Sequence, residues 1–321
     1  MANEKKLILI DSNALLHRAY HALPPLADGK GEVVNAIYGF LLVLFKVLKE
    51  MKPDYIICSF DLPGPTFRDK EYTEYKAGRT KPPDEFYKQI PAVKDILKVF
   101  KIPIIEKQGF EADDIIGTIT KKSLEEIPEI KNIIVSGDLD TLQLVNRSTI
   151  VYTLRKGIKD TIIYNKERVI QRYGLKPKQL ADFKGLRGDP SDNIPGVPGI
   201  GEKTAALILK EFDTLENFYQ KVEAENFSPE KIPFLRPKII EKILEYKDQA
   251  FFSKFLGTIK RDVPLDFKLK ENPWGTFDFG EISKVFEKLN FYSLLKRLPE
   301  IKESFPDSKN QNQKNVQNPL L

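Results

Sequence analysis

In the first half of the chain, short unbroken apolar runs alternate with longer stretches whose apolar positions recur at helical spacing. Segments 7–10, 55–60, 102–105 and 133–135 show no polar alternation, the pattern of strands in a parallel sheet covered on both faces. Between them, segments 34–50, 86–100 and 111–126 read as amphipathic helices; in the first, Ile37, Phe40, Leu41, Leu44, Phe45 and Leu48 make one stripe. Strands alternating with helices predict an α/β fold with a doubly wound, mostly parallel sheet. A further β-rich piece, 149–153 with 161–164, is expected to end that layer.

From about residue 165 the pattern turns helical. Pro177, Pro190, Pro195 and Pro198 punctuate it, and segments 207–209, 239–246 and 282–295 read as helices of a smaller, mostly α region. Seven of the nine residues from 310 to 318 are Asn or Gln, a composition that cannot bury a core and reads as a tail or linker. Length agrees with this division, since 321 residues at roughly 150 per domain give about two domains.

Composition narrows the chemistry by exclusion. The single cysteine, Cys58, rules out an intrachain disulfide or a Cys-rich zinc site. Two histidines, His17 and His21, are too few for chemistry built on several His ligands. The apolar run near the start, 7–10, is far short of a signal peptide or a span of about 20 residues, so a cytoplasmic protein with no membrane partner is expected. Lys plus Arg exceed Asp plus Glu by 51 to 46, and the formal +5 permits nucleic acid without indicating it.

The acids say more, because ligands of an open α/β sheet bind beyond the carboxyl ends of its strands. Asp11 follows the first apolar run and Asp61 the second. Glu111, Asp113 and Asp114 open a helix after the third, and Asp138 and Asp140 follow the fourth. Asp189 and Asp192 lie in a Gly/Pro-rich loop able to fold back to the same edge. Taken singly, Asp11 or Asp114 is as readily a helix N-cap; acids at four successive strand ends are harder to obtain from capping. Nine carboxylates at one edge would repel and raise some pKa values, which divalent cations relieve. An all-oxygen donor set suits magnesium or manganese over zinc. Two such ions would clamp a phosphodiester and activate water without a histidine base.

Cationic help is expected from segment 66–84, where Arg68, Lys76, Arg79 and Lys81 interleave with Phe67, Tyr72 and Tyr75. Basic residues among aromatics suit a single strand; a solvated surface loop is the plain alternative, disfavoured by the position above the acids. The run G-V-P-G-I-G-E-K-T at 196–204 nearly matches a P-loop, but Glu202 displaces the lysine and no apolar strand precedes it. It fits the hairpin of a helix-hairpin-helix better, with Gly196, Gly199, Gly201, Lys203 and Thr204 offering backbone N–H groups and charge to a DNA phosphate. A tight structural turn between helices is the other reading. His17 and His21 read as half-buried helix residues and Arg18 as a phosphate contact.

Together, I-D-S-N at 10–13, F-D at 60–61, T-F-R at 66–68, Y-K-A-G-R at 75–79, F-E-A-D-D at 110–114, S-G-D-L-D at 136–140 and G-D-P-S-D-N-I-P-G-V-P-G-I-G-E-K-T-A at 188–205 carry a resemblance. Over residues 5–298 the chain is similar to the 5′-nuclease domain of bacterial DNA polymerase I, within the flap endonuclease superfamily. The resemblance implies a PIN-like α/β nuclease core over 1–170 with a helical arch at 66–85. It implies a C-terminal helical DNA-binding region over 171–300 with a helix-hairpin-helix at 186–210, and a disordered tail or linker over 301–321. Asp11, Asp61, Glu111, Asp113 and Asp114 would serve a first metal site, and Asp138, Asp140, Asp189 and Asp192 a second. Lys76 and Arg79 would act on the scissile phosphate. Arg18 and Arg68 would contact the 5′ strand, Tyr75 and Lys81 would also face DNA, and the hairpin would hold duplex with a potassium ion. One departure is Leu139, where many relatives carry lysine; this removes a positive charge and no ligand.

The expected activity is that of a structure-specific 5′ nuclease hydrolysing 5′ flaps, nicks and RNA primers by two-metal-ion catalysis with Mg2+ or Mn2+ in replication and repair. A monomer is expected, with a polymerase region in the same or a separate chain. A catalytically dead junction-binding module would show gaps among the nine acids, and none is missing. A PIN-like ribonuclease is disfavoured by the hairpin and the large helical region.

Overall fold

The computed structural model describes residues 4–157, 160–224, 232–275 and 277–302; most of the tail expected over 301–321 therefore lies outside the described residues. Leu7, Ile8, Leu9 and Ile10 are wholly buried, because β1 (Lys6–Asp11) runs through the middle of a sheet covered on both faces. α1 (Ser12–Ala22) begins where β1 ends, and α2 (Asn35–Met51) leads back to β2 (Tyr55–Ser59). Then come α3 (Phe67–Glu71), α4 (Asp84–Tyr87), α5 (Gln89–Val99), the two-residue strand β3 (Ile104–Ile105) and α6 (Ala112–Glu126). β4 (Lys131–Ser136), β5 (Thr149–Lys156) and β6 (Asp160–Tyr164) complete a six-stranded sheet in the order β3-β2-β1-β4-β5-β6. Within this sheet, among the described residues, only the β5–β6 pair is antiparallel.

The chain steps outward from β1 to β3, then crosses to the other side of β1 for β4. The β1/β4 boundary is therefore the topological switch point, where such sheets open a crevice. Register brings the strand ends flush: Asp11 pairs with Ser59, Ser59 with Ile105, and Ile10 with Val135.

Alternation along the strands divides the core. Ile8, Ile10, Ile56, Cys58, Ile133 and Val135 face a layer that includes Phe40, Leu44, Phe45, Leu97 and Phe100 of the α2–α5 side. Leu7, Leu9, Ile57, Ile134 and Val151 face Ile115, Ile116 and Ile119 of α6. Each large side chain so buried contributes about 1.5–3 kcal/mol.

After β6 comes α7 (Lys166–Tyr173), whose buried Val169 packs on the α6 side of the sheet. Then α8 (Leu180–Arg187), α9 (Glu202–Phe212), α10 (Leu215–Val222), α11 (Pro237–Glu245) and α12 (Lys247–Gly257) build a separate cluster around Phe183, Leu186, Ile208, Leu209 and Phe218. The chain then returns to the sheet. Ile259, Val263, Leu265 and Leu269 pack on the α6 side. α13 (Phe279–Lys288), α14 (Tyr292–Leu295) and α15 (Leu298–Lys302) place Ile282, Phe286, Phe291 and Leu294 on the α2–α5 side. The single helix expected over 282–295 is interrupted at Asn290, whose φ is +58°. Among the described residues no helix is long and apolar enough to cross a membrane.

The segment expected as a helical arch is helical only in part. Thr66 and Asp69 close a capping box that starts α3, but α3 ends after five residues and turns fill 73–78. Lys76 has φ +57°, outside the helical region, and the Pro82–Pro83 pair disfavours helix before α4.

Candidate active site

The nine carboxylates gather at the flush edge of the sheet, in two groups with Asp11 between them. The first group is built on the N-terminus of α6. Glu111 is its N-cap and closes a capping box with Asp114, and Asp61 accepts a hydrogen bond from the Ala112 N–H at 2.7 Å. One oxygen each of Glu111, Asp113 and Asp114 lies within 4.8 Å of the others.

These acids differ in what else they bind. Asp114 is fully buried, and its two oxygens accept from the Arg68 guanidinium, the Lys260 N–H and the Glu111 N–H. Asp113 Oδ1 is buried without a hydrogen-bond partner, an orphan acceptor that a cation would satisfy. Burial, reinforced by Asp114, pushes the Asp113 carboxyl well above the usual range. Burial works against Glu111 as well, but Lys76 and Arg68 outweigh it and hold that carboxyl low. Desolvation raises Asp61 although the residue keeps an exposed edge.

The second group comes from two segments. Asp138 accepts from the Asp140 N–H at 2.9 Å and so starts the 3₁₀ turn Leu139–Leu144. Asp189 and Ile194 exchange backbone hydrogen bonds of 2.8 and 2.9 Å, and this closed loop brings Asp189 and Asp192 to Asp140, again with oxygens within 4.8 Å. Burial raises Asp140 to about 6 despite opposition from Lys184. Lys184, in α8, was not singled out by sequence. Its ammonium bonds Asp140 and lies 2.7 Å from Asp189 Oδ2. The available signal was a lysine within the otherwise apolar turn Phe183–Leu186, leading straight into the acid loop.

Asp11 joins the groups. It N-caps α1 through the Ala14 N–H at 3.1 Å and accepts from Ser136 Oγ at 2.8 Å, so the capping role and the place among the acids coexist. Burial, then the charge of Asp61, raise its carboxyl to about 7, with Asp138 adding to the shift.

Tyr75, Lys76 and Arg79 span both groups. The Lys76 ammonium bonds Glu111 while its backbone N–H donates to Asp192 O at 2.9 Å, and Arg79 pairs with the Asp192 carboxylate. The Tyr75 hydroxyl lies 3.2 Å from Glu111 and 3.4 Å from Asp192.

Several expected DNA-facing groups are placed otherwise. Arg68 is 1% exposed; it donates to Asp114, Glu111 and the carbonyls of Leu256 and Thr258, so it anchors the acids and does not present itself to a strand. Tyr75 is buried beside Ile194 and Leu256, leaving no free ring face for a base. Gly196 is buried too: a Cβ there would lie 2.2 Å from the Gly188 nitrogen, and its N–H and carbonyl are taken by Ser253 and Gln249. It closes the hairpin between α8 and α9 from within. Gly199, Gly201 and Lys203 stay exposed at the tip, with Thr204 partly so. Lys81 is exposed, and Arg18 donates to the Leu154 and Arg155 carbonyls. His17 and His21 are exposed, not half-buried, with ring centroids 4.6 Å apart.

The donor set fits divalent cations: oxygen ligands alone, carboxyls raised by burial and then by one another, and one orphaned buried oxygen.

Residues 6–174 match the family described as 5′-3′ exonuclease, N-terminal resolvase-like domain, and residues 175–280 match 5′-3′ exonuclease, C-terminal SAM fold. DNA polymerase I of Bacillus subtilis (strain 168) is 42% identical over 94% of this chain and 33% of its own length. The enzyme of Caldicellulosiruptor bescii is 41% identical over 91% of the chain, again 33% of its own length. The chain thus spans about a third of the length of the curated relatives it matches. Among solved structures, T5 5′-exonuclease with bound zinc ions has a TM-score of 0.63 at 19% identity, covering 93% of this chain and 99% of that one. The catalytic core of Rad2 in complex with DNA substrate has a TM-score of 0.58 at 17% identity, covering 92% and 93%. Fold, ordered acids and family match agree: the chain belongs to the 5′-3′ exonuclease family.

Proposed function

We propose that this chain is a structure-specific 5′ nuclease acting on DNA with 5′ flaps or nicks and on RNA–DNA primer junctions, with Mg2+ or Mn2+ at the two acid groups. The observation that carries the reading is the bridge made by Tyr75, Lys76 and Arg79, which sets cationic groups directly over carboxylates at a topological switch point. Divalent cations at Asp61, Glu111 and Asp113 on one side and Asp138, Asp140, Asp189 and Asp192 on the other would lower the pKa of a water and offset charge on phosphate oxygens. Lys76 and Arg79 would turn from their carboxylates to the incoming phosphodiester. Asp114 and Arg68 hold Glu111 in place, and Asp11 keeps α1 fixed beside both groups.

The exposed hairpin tip, Gly199 to Lys203, suits duplex phosphates, with K+ as a candidate ion at its carbonyls. On this reading 1–170 is the nuclease core and 171–300 the DNA-holding region, with the segment after Gly257 returning to the core. A tail from 301, monomeric action, a cytoplasmic location and a polymerase region in the same or another chain belong to the same proposal.

The test is cleavage of a 5′-labelled flap with MgCl2, MnCl2 or EDTA. The expected result is a 5′ product released only with divalent ion; tight flap binding without cleavage would replace this reading with that of a junction-binding module.

A further inference from the structure

Lys184 is placed for more than surface pairing. Its side chain is 11% exposed, and its stem runs along Gly257 of α12, where an added Cβ would come within 2.9 Å of Lys184 Cδ. The glycine keeps open a slot that directs the ammonium to one place. That place is between Asp140 and Asp189, two of the three acids whose oxygens converge within 4.8 Å. The third, Asp192, is held by Arg79 and approached by Tyr75. Lys184 thus holds two of the three carboxylates on which a cation of the second group would draw.

Both charges cannot hold those oxygens at close range. An ammonium offers three N–H donors to them, whereas a divalent ion needs their lone pairs directly and repels a positive neighbour. We propose that Lys184 is a resident competitor for divalent cations at the second acid group: a cation enters by displacing the ammonium from Asp140 and Asp189, and Lys184 sets how tightly that group binds it. This rests on the metal-dependent reading given above. It makes Lys184 a positioning residue for the acids and assigns it no step on substrate.

The test is calorimetric titration of the full chain with MnCl2 alone, without DNA. Lys184→Met should tighten one class of Mn2+ sites by about tenfold or more, whereas Lys184→Arg, which keeps the charge, should stay near the original affinity. Introducing Asp189→Asn should shrink the gain, because the oxygen contested by lysine and metal is then lost. Lys247→Met, which removes an exposed cation paired with Glu223, controls for net charge and should leave Mn2+ binding unaltered. If circular dichroism shows that Lys184→Met does not fold, Lys184→Gln is read by the same criterion. Mn2+ binding by the unsubstituted chain with no tightening in the folded variant overturns this inference alone. Absence of any Mn2+ binding by the unsubstituted chain overturns both it and the metal-dependent reading.

Discussion

Arg68 and Asp114 form a two-point ion pair inside the protein, with Nη1 to Oδ2 at 2.7 Å and Nη2 to Oδ1 at 2.9 Å. The guanidinium also reaches Glu111 and two carbonyls, so one buried arginine fixes the start of α6 and the end of α12 together. Arg68→Met should destabilise the fold by about 3–5 kcal/mol, since it strands a fully buried carboxylate. Urea unfolding measures this. Unchanged stability with weakened strand binding would instead restore Arg68 to the DNA surface.

Asp113 should behave differently from its neighbour. Its buried Oδ1 has no partner, so Asp113→Asn removes a crowded charge with little loss of structure. The expected outcome is a folded protein, as stable or slightly more so without divalent ions, that has lost cleavage and binds Mn2+ more weakly. Asp114→Asn should cost stability first, because it breaks the pair with Arg68. A variant of Asp113 that cleaves normally would take this acid out of the metal set.

The raised carboxyls make stability depend on pH. Asp11 at about 7 and Asp140 at about 6 hold their protons more firmly when folded than when unfolded. Between the ordinary carboxylate range and those values the native state binds more protons, so without divalent ions stability is greatest near pH 4 and falls as pH rises toward 7. At 1.36 kcal/mol per pH unit these two carboxyls set a ceiling of about 7 kcal/mol on the fall, which the coupling among these groups lowers. Glu111 and Asp189, held low by their cations, act oppositely and only at more acid pH. Thermal melts from pH 4.5 to 7.5 with EDTA, repeated with MgCl2, check both the slope and its relief by the ion.

The acids at the sheet edge were legible in the sequence because strand ends are. A short apolar run without alternation, such as Leu7–Ile10, reads as a covered strand, and the position after it in an α/β sheet is where ligands bind. The same logic located Asp61, Glu111 and Asp138. It could not say which acids would be free, since that depends on partners distant along the chain: Arg68 is 46 residues from Asp114, and Lys184 is 44 from Asp140. Arg68 and Tyr75 looked like surface groups because their segment is polar; burial there is imposed by Leu256 and Ile194, far along the chain. The arch segment is helical only in part for a local reason, the left-handed Lys76, whose N–H reaches the Asp192 carbonyl.

Lys76 ties its ammonium to Glu111 and its backbone to Asp192, so removing the side chain spares the turn while losing the charge. Lys76→Ala should slow single-turnover flap cleavage by about 10²–10³-fold and weaken binding by far less. Equal losses in rate and affinity would make it a tether. Tyr75→Phe removes the hydroxyl between Glu111 and Asp192 without vacating the buried ring site, so folding should persist with a smaller drop in rate.

The hairpin separates a structural glycine from an exposed cation. Gly196 has φ +62° and no room for a Cβ against the backbone at Arg187 and Gly188. Gly196→Ala must therefore push α8 away from the loop carrying Asp189 and Asp192, and both stability and Mn2+ binding should fall. Lys203 stands exposed on the first turn of α9, next to its N-terminus, where an incoming phosphate meets free N–H groups as well as charge. Lys203→Ala should leave the fold and Mn2+ affinity unchanged while making the log–log salt dependence of duplex binding shallower by about 0.9, the loss of one phosphate contact. A salt slope that does not move would place the duplex elsewhere on the helical region and leave Gly196 with a purely internal role.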